Sequence, residues 1–343
     1  GGDEFALLLL GCPLEKARQI ADDICTAVRG YRFVWQDRIF DIGISIGLLE
    51  LGQSSGTMED VLNAADSACY VAKQEGRGRV HIYSAMDEVA ARQRGEIHWL
   101  RKLQTAIREE SFELYVQPII SVAGRIPRGP AVEVLLRMVD KEEGAVAPGQ
   151  FIRVAERYQL IGALDRWVLR TTLNAVAAGG IRLPDQRSVA INISGQTMAE
   201  ESFLDFVIDC LDHSQVDPAQ LCFEVTERAV LGDLQGARRF IGVLHGMGCT
   251  FSLDDFGSDI GSLSSLQDLS IDFLKLDGVC TRNLTTDSVN QEVVAAVARL
   301  SKAVGFKVVA EQVEDQPSFD SLRDLGVNFI QGYYLEAPQA LGE

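Results

Sequence analysis

Positive charge is scarce in this sequence. Lys and Arg number 32 against 49 Asp and Glu over 343 residues, a net charge of −17. That balance excludes binding of a long nucleic acid through a general basic surface, but not a small phosphate ligand held by metal ions and a few local cations. Cysteine is sparse and unpatterned, with seven residues from Cys12 to Cys280 and no CxxC pair. An odd, scattered set excludes a closely spaced disulfide framework and reads as reduced core thiols of a cytoplasmic protein. Long apolar runs are missing too. The longest early one, Phe5 to Leu10, is far too short to span a bilayer, and no signal peptide is visible. The stretch is therefore read as soluble and without membrane contact. It opens on Gly1 rather than Met, which reads as a piece of a larger protein whose upstream part, a sensor or a membrane segment, lies out of view.

Core material is ample, with 47% hydrophobic residues and a mean hydropathy of +0.06, and the length suits two domains. In the first 86 residues, Gly1-Gly2-Asp3-Glu4-Phe5 followed by Ala6 to Leu10 reads as a glycine turn entering a buried strand. Helical spacing follows over Leu14 to Val28, strand alternation over Ile39 to Leu49, a second helix over Met58 to Gln74 and a short strand over Val80 to Tyr83. Gly76-Arg77-Gly78-Arg79 is a basic turn. Residues 87–110 suit a connecting helix with one apolar face, or equally the first helix of the next domain.

From Phe112 a pattern recurs in which an apolar, β-rich run ends in a polar residue and a helical stretch follows. The runs end at Glu133, Asn192, Glu224, Asp254-Asp255, Lys275, Glu311 and Gln331, and from Asn192 onward they lie one βα unit apart. Alternation of this kind across 111–343 predicts an α/β fold, a TIM-like (β/α) barrel, behind a smaller partial α+β domain. In such a barrel the carboxyl ends of the strands face one mouth, so these eight polar residues should converge there. Each alone has a bland alternative: Asp254-Asp255 as a solvated turn, any other as a helix cap. Eight in phase favour a site. The group holds five carboxylates and two amides. None of the four histidines (His81, His98, His213, His245) and no cysteine belongs to it, which removes zinc, a Ser-His-Asp triad and thiol chemistry. Adjacent carboxylates repel unless a cation neutralises them, and hard oxygen donors in this number suit two divalent ions, Mg²⁺ or Mn²⁺, with Asp254 as the bridge.

Gly1 to Phe5, with Ala65-Asp66-Ser67-Ala68-Cys69-Tyr70-Val71-Ala72-Lys73 and Gly76-Arg77, resembles the GGDEF diguanylate cyclase family. The family's metal-binding Asp and guanine pocket precede its signature and are not in this sequence. The resemblance therefore covers only the C-terminal half of such a domain, and no cyclase activity is expected. Lys73 and Arg77, which match triphosphate contacts in the family, also read as a solvated basic turn. Glu133-Val134-Leu135-Leu136-Arg137 resembles the signature of EAL domains. It is followed in order by Asn192-Ile193-Ser194, Glu224-Val225-Thr226-Glu227, Asp254-Asp255-Phe256-Gly257, Lys275-Leu276-Asp277, Ala310-Glu311 and Gln331-Gly332-Tyr333.

The EAL resemblance implies metal-dependent hydrolysis of cyclic di-GMP to linear pGpG in bacterial second-messenger signalling. The alternative is a weak or silent cyclic di-GMP receptor, and a third reading is an unrelated metal-dependent barrel acting on sugars or enolates. It implies that Glu133, Asn192, Glu224 and Asp254 hold one ion, that Asp255 and Glu311 serve a second with Asp254 shared, and that Lys275 and Gln331 attend the attacking water. Arg137 would meet a phosphate oxygen and Gln117 a base, while Glu227 steadies the loop after the aspartate pair and Ser258 keeps that loop's hydroxyl. A homodimer through the barrel is expected from the family. Three departures stand out: Asp259 and Ile260 in place of a glycine and an aromatic, Gln312 in place of a glycine, and Tyr334-Leu335-Glu336-Ala337 at the end. Crowding at Gln312 depends on whether that position needs φ > 0.

Overall fold

The structure is a computed structural model that describes residues 5–35, 38–52, 57–74, 76–83, 85–122, 128–141, 143–256, 269–282 and 284–342. Side chains are not described at 32–35, 38–41, 59–60, 63, 67, 74 and 85–95. The expectations for Gly1 to Glu4, Gly257, Ser258, Asp259 and Ile260 lie outside the described residues.

The chain divides into two compact units, Gly1–Trp99 and Leu100–Glu343. In the first, the helix Leu14–Gly30 buries Ala17, Ala21 and Cys25, a small-residue stripe with spacing i, i+4, i+8. The helix Met58–Gln74 buries Ala64, Ala68, Val71 and Ala72. Both serve a parallel strand pair, Ile46–Leu48 with Val80–Ile82. Gly47 is required there because a Cβ would stand 2.3 Å from the carbonyl oxygen of Ala65. The single strand expected over Ile39 to Leu49 is instead two short ones, Arg38–Asp41 and Ile46–Leu48. The buried strand expected over Ala6 to Leu10 is also overturned. Residues 5–9 belong to no strand or helix, and Phe5, Leu7, Leu8 and Leu10 are 88%, 69%, 66% and 86% exposed. A strand exists only where a neighbour takes its backbone hydrogen bonds, and none pairs with this run among the described residues.

The helix Ala85–Glu109 crosses the division between the units, and its Leu103 and Ala106 are buried in the second. That second unit is a TIM-like α/β barrel. The strands of its wall are β1 Phe112–Pro118, β2 Ile120–Ser121, β3 Gly129–Asp140, β4 Arg187–Asn192 and β5 Leu221–Thr226, then β6 Thr250–Phe256, β7 Phe273–Leu276, β8 Lys307–Ala310 and β9 Phe329–Ile330, and two further short strands, Gly144–Val146 and Gln339–Ala340, pair antiparallel with β3 and β1. Strands β3 to β9 pair in sequence order, all parallel. Within the wall, the departure from a uniform (β/α) pattern is at the start. β1 runs antiparallel to β3, and β2, one residue beyond β1, runs antiparallel to β9, so the order returns to where it began. Residues 122–128 are too few for a crossover helix, and a short connection makes its strands antiparallel. β3 itself runs on to Asp140 rather than ending at Glu133.

Period-two alternation sorts the strand residues. Phe223 and Phe251 pack with Phe203 and Phe240 of the helices Glu201–His213 and Leu234–Gly246, at centroid separations of 5.7 to 6.1 Å. The other phase gives a buried cluster inside the ring: Ile119, Ala190, Cys222, Phe273, Val309 and Phe329. Two residues further along each strand stand Asn192, Glu224, Lys275, Glu311 and Gln331. The apolar layer is therefore the floor on which the polar residues rest.

Arg187 ties the seam. Its Nε donates to the Gly129 carbonyl at 2.9 Å, and its Nη2 to the carbonyls of Ile119, at 2.9 Å, and Pro130, with the guanidinium 5.4 Å from the Phe329 ring centroid. Buried carbonyls stripped of a donor are costly. Arg187→Leu is expected to lower the unfolding free energy by about 2–4 kcal/mol, measured by denaturant titration; a change under about 0.5 kcal/mol would show the seam is held by packing alone.

Candidate active site

The centre of the barrel mouth is an ammonium group. Lys275 is 1% exposed, and its Nζ lies 2.7 Å from Glu311 Oε1, 2.8 Å from Glu224 Oε2, 3.1 Å from Glu133 Oε2 and 3.9 Å from Asp254 Oδ2. These five side chains come from β3, β5, β6, β7 and the residue after β8. Glu133 is further gripped by two amides: Asn192 Nδ2 donates to Oε1 at 2.6 Å and Gln331 Nε2 to Oε2 at 2.7 Å. Gln331 Nε2 also donates to Gln117 Oε1 at 3.0 Å, and Gln117 Nε2 donates to the Glu336 carbonyl at 3.1 Å. Gln117 is buried and engaged at both ends, which makes it a support for Gln331 in this arrangement.

The aspartate pair owes its placement to a bulge. Leu253 faces Leu274 and Phe256 faces Leu276, so β6 carries one more residue than β7 over the same span. Asp255 takes φ +57, a left-handed conformation that aspartate tolerates, and its N–H donates to Asp254 Oδ1 at 2.8 Å. The bulge breaks the alternation that would otherwise send neighbouring side chains to opposite faces. Arg137 lies four residues beyond Glu133 on the same face of β3, half-buried, its guanidinium 5.1 Å from the Tyr115 ring centroid. Glu227 is buried at the start of the helix Glu227–Gly232, and the loop it was expected to steady lies outside the described residues. In the first unit Lys73, in the last turn of the helix Met58–Gln74, and Arg77, just beyond it, are both exposed, in keeping with solvated side chains.

Asp277 was quoted above only as part of a motif, yet it belongs to the electrostatics of the pair. It raises the pKa of both Asp254 and Asp255, while its Oδ1 caps the helix Gly278–Thr281 by accepting from the Val279 N–H at 2.6 Å. Its position two residues after Lys275 was the available signal.

Four carboxylates around one ammonium leave three negative charges unbalanced if all ionise. The consequences differ by site. Burial works to raise Glu133, but Lys275 and the amides of Gln331 and Asn192 hold it below its ordinary value. Burial, then Glu133 and Asp254, push Glu224 well above the carboxylate range against the pull of Lys275. Burial chiefly, with Asp254 and Glu133, pushes Glu311 up to about 8. Asp254 and Asp255 are raised, again mainly by burial. Burial alone would lower Lys275, and the surrounding carboxylates more than offset it, so the ammonium stays charged well beyond neutrality.

Among the described residues no three His, Cys, Asp or Glu side chains converge as an open ligand set, because Lys275 stands between the carboxylates. The donors nevertheless fit divalent cations. Glu224 Oε1 and Gln331 Oε1 are buried without a hydrogen-bond partner, and the set is oxygen-rich with excess negative charge. Glu311 gives a pH dependence whose sign is fixed. Its unfolded value is near 4.5 and its folded value about 8, so the folded state binds the proton more tightly. The stabilisation is complete below 4.5 and is lost as pH rises through about 8. In chelator the melting temperature should fall from pH 5.5 to pH 8, and Mg²⁺ or Mn²⁺ should raise it more at pH 8 than at pH 5.5. A metal-free melting temperature that climbs over this range would contradict the assignment.

Residues 100–338 match the family model of the EAL domain, and residues 1–79 that of the diguanylate cyclase, GGDEF domain. Cyclic di-GMP phosphodiesterase PdeB of Shewanella oneidensis is 30% identical over 341 residues, which are 99% of this chain and 40% of that protein. Cyclic di-GMP phosphodiesterase PdeF of Escherichia coli is 32% identical over 246 residues, 72% of this chain and 32% of that protein. The chain thus spans less than half the length of these two curated relatives. Among solved structures, the PaMucR phosphodiesterase in complex with c-di-GMP matches with a TM-score of 0.65 at 31% identity, over 71% of this chain and 97% of that one. The FimX EAL domain from Pseudomonas aeruginosa bound to c-di-GMP matches with a TM-score of 0.64 at 25% identity, over 70% and 96%. The matched span 100–338 contains every residue gathered around Lys275, and the chain belongs to the EAL domain family, preceded by a partial GGDEF stretch.

Proposed function

We propose that the barrel hydrolyses cyclic di-GMP to linear pGpG with two divalent ions, Mg²⁺ or Mn²⁺. The observation that carries this reading is the ring of Glu133, Glu224, Asp254 and Glu311 around the buried Lys275 at the barrel mouth. Glu133, Asn192, Glu224 and Asp254 would hold one ion, and Asp254, Asp255 and Glu311 the other. Bound there, the ions would supply Lewis acidity toward the phosphodiester and make water acidic enough to attack near neutral pH.

The chain's own groups do the rest. Lys275 remains protonated, so it serves as a fixed positive charge and donor beside the attacking water, never as the proton acceptor. Gln331, braced by Gln117, fixes the orientation of Glu133. Arg137 presents a planar guanidinium at the mouth for a phosphate oxygen. The water oxygen bonds to phosphorus as the P–O3′ bond breaks, and a proton given up by that water ends on the departing oxygen as the 3′-hydroxyl, which gives a linear product with a 5′-phosphate. A receptor that only bound the dinucleotide would not need this complete set of carboxylates with its lysine, and the set is complete. A homodimer through the barrel and a cytoplasmic location accompany this reading as expectations of the family. Among the described residues no helix is long and apolar enough to cross a membrane.

The experiment is incubation of the chain with cyclic di-GMP and Mg²⁺ or Mn²⁺, followed by chromatography for pGpG. Turnover is expected, and Glu133→Ala should reduce it by at least about a hundredfold, since it removes a proposed ligand together with the carboxylate that Asn192, Gln331 and Lys275 all contact. Tight binding without product would replace the hydrolase by the receptor.

A further inference from the structure

Glu311, a metal ligand in the reading above, is followed by a residue in an unusual conformation. Gln312 has φ +53, in the left-handed region that glycine enters freely and glutamine avoids. Its side-chain oxygen is engaged nearby. Oε1 accepts from Arg282 Nε at 3.1 Å and from Arg282 Nη2. The same carboxamide fills the space above Gly278, where an added Cβ would lie 2.2 Å from Oε1 and 2.9 Å from Nε2. Glu311 itself is tied to the same stretch of chain. Thr281, 2% exposed, donates through Oγ1 to the Glu311 carbonyl at 2.7 Å, and the Glu311 N–H donates to the Leu276 carbonyl at 3.3 Å. Leu276 to Arg282 is the segment directly after Lys275, whose Nζ meets Glu311 Oε1 at 2.7 Å.

We propose that Gln312 is a positioning residue. Anchored by Arg282 and seated over Gly278, it fixes the turn that carries Glu311 and thereby sets the carboxylate for its divalent ion. The side chain at 312 and the missing side chain at 278 require each other: the bulk one position provides is accommodated by what the other lacks. Glutamine after Glu311, a departure from the family's glycine, is in this chain a working part of the site. The proposal rests on Glu311 being a metal ligand.

The test uses the full 343-residue chain and two readouts: the Mn²⁺ concentration giving half-maximal thermal stabilisation, and kcat/KM for cyclic di-GMP. Gln312→Met keeps the volume and removes the acceptor. It should raise the half-saturating Mn²⁺ about tenfold while the metal-free melting temperature stays within about 2 °C of wild type. Arg282→Ala should do the same. Gly278→Ala should also weaken Mn²⁺ binding, and its effect should vanish on a Gln312→Gly background, where the collision is gone. Unchanged Mn²⁺ binding in Gln312→Met and Arg282→Ala, or a Gly278→Ala penalty that persists in full beside Gln312→Gly, overturns the proposal. Glu311→Gln separates the two levels. If it leaves Mn²⁺ binding intact, the ligand assignment falls and the proposal with it. If it weakens binding while the Gln312 and Arg282 variants do not, the ligand assignment stands and only the proposal falls.

Discussion

One lysine holds the mouth of this barrel together. Four carboxylates from four different strands or strand ends converge on Lys275, and in low dielectric such a group survives only with countercharge at hand. The ammonium supplies one charge where up to four are present. What remains uncompensated appears as protonation: Glu224 and Glu311 are pushed far above ordinary carboxylate values, and Glu311 titrates near 8. A site that prefers protons or cations to bare ionisation is prepared for divalent metal. The same excess of anion would repel a phosphodiester, so cations and Arg137 are needed before the proposed substrate can approach.

The barrel makes that charge density bearable by standing it on an apolar floor. Alternation places Ala190, Cys222, Phe273, Val309 and Phe329 one layer beneath Asn192, Glu224, Lys275, Glu311 and Gln331. The floor excludes water from below and keeps each polar side chain pointed at the mouth. Arg187 closes the ring beneath Phe329, and the antiparallel start of the barrel brings Gln117 opposite Glu133, where it braces Gln331. Fold and site are thus coupled through register. A one-residue slip in any strand would turn its floor and site residues away from the barrel interior together.

That coupling explains what the sequence revealed. Polar residues ending apolar runs at βα intervals could be read because strand periodicity is local and the carboxyl ends of barrel strands share one mouth. The seven residues Glu133, Asn192, Glu224, Asp254, Lys275, Glu311 and Gln331 are joined by hydrogen bonds and ion pairs as that pattern requires. Other features depend on tertiary context. The reversed first strand follows from a short connection whose pairing no local pattern announces. Asp255 lies in a bulge set by β7. Arg187 satisfies carbonyls far away in sequence, and no local pattern marks such a role. Phe5 to Leu10 shows the reverse error, a run with strand composition but no neighbour to make it one. Gln312 was legible as a departure, but only φ and the Gly278 contact show how it is accommodated.

The central claim is that the carboxylates around Lys275 form a centre for two divalent cations. Electron paramagnetic resonance of Mn²⁺ titrated into the chain tests it most directly, since free aqueous Mn²⁺ is read apart from bound. Two ions should bind per chain, and Glu224→Gln should lose at least one. Full recovery of free Mn²⁺ signal at millimolar metal, or binding indifferent to Glu224→Gln, would contradict it.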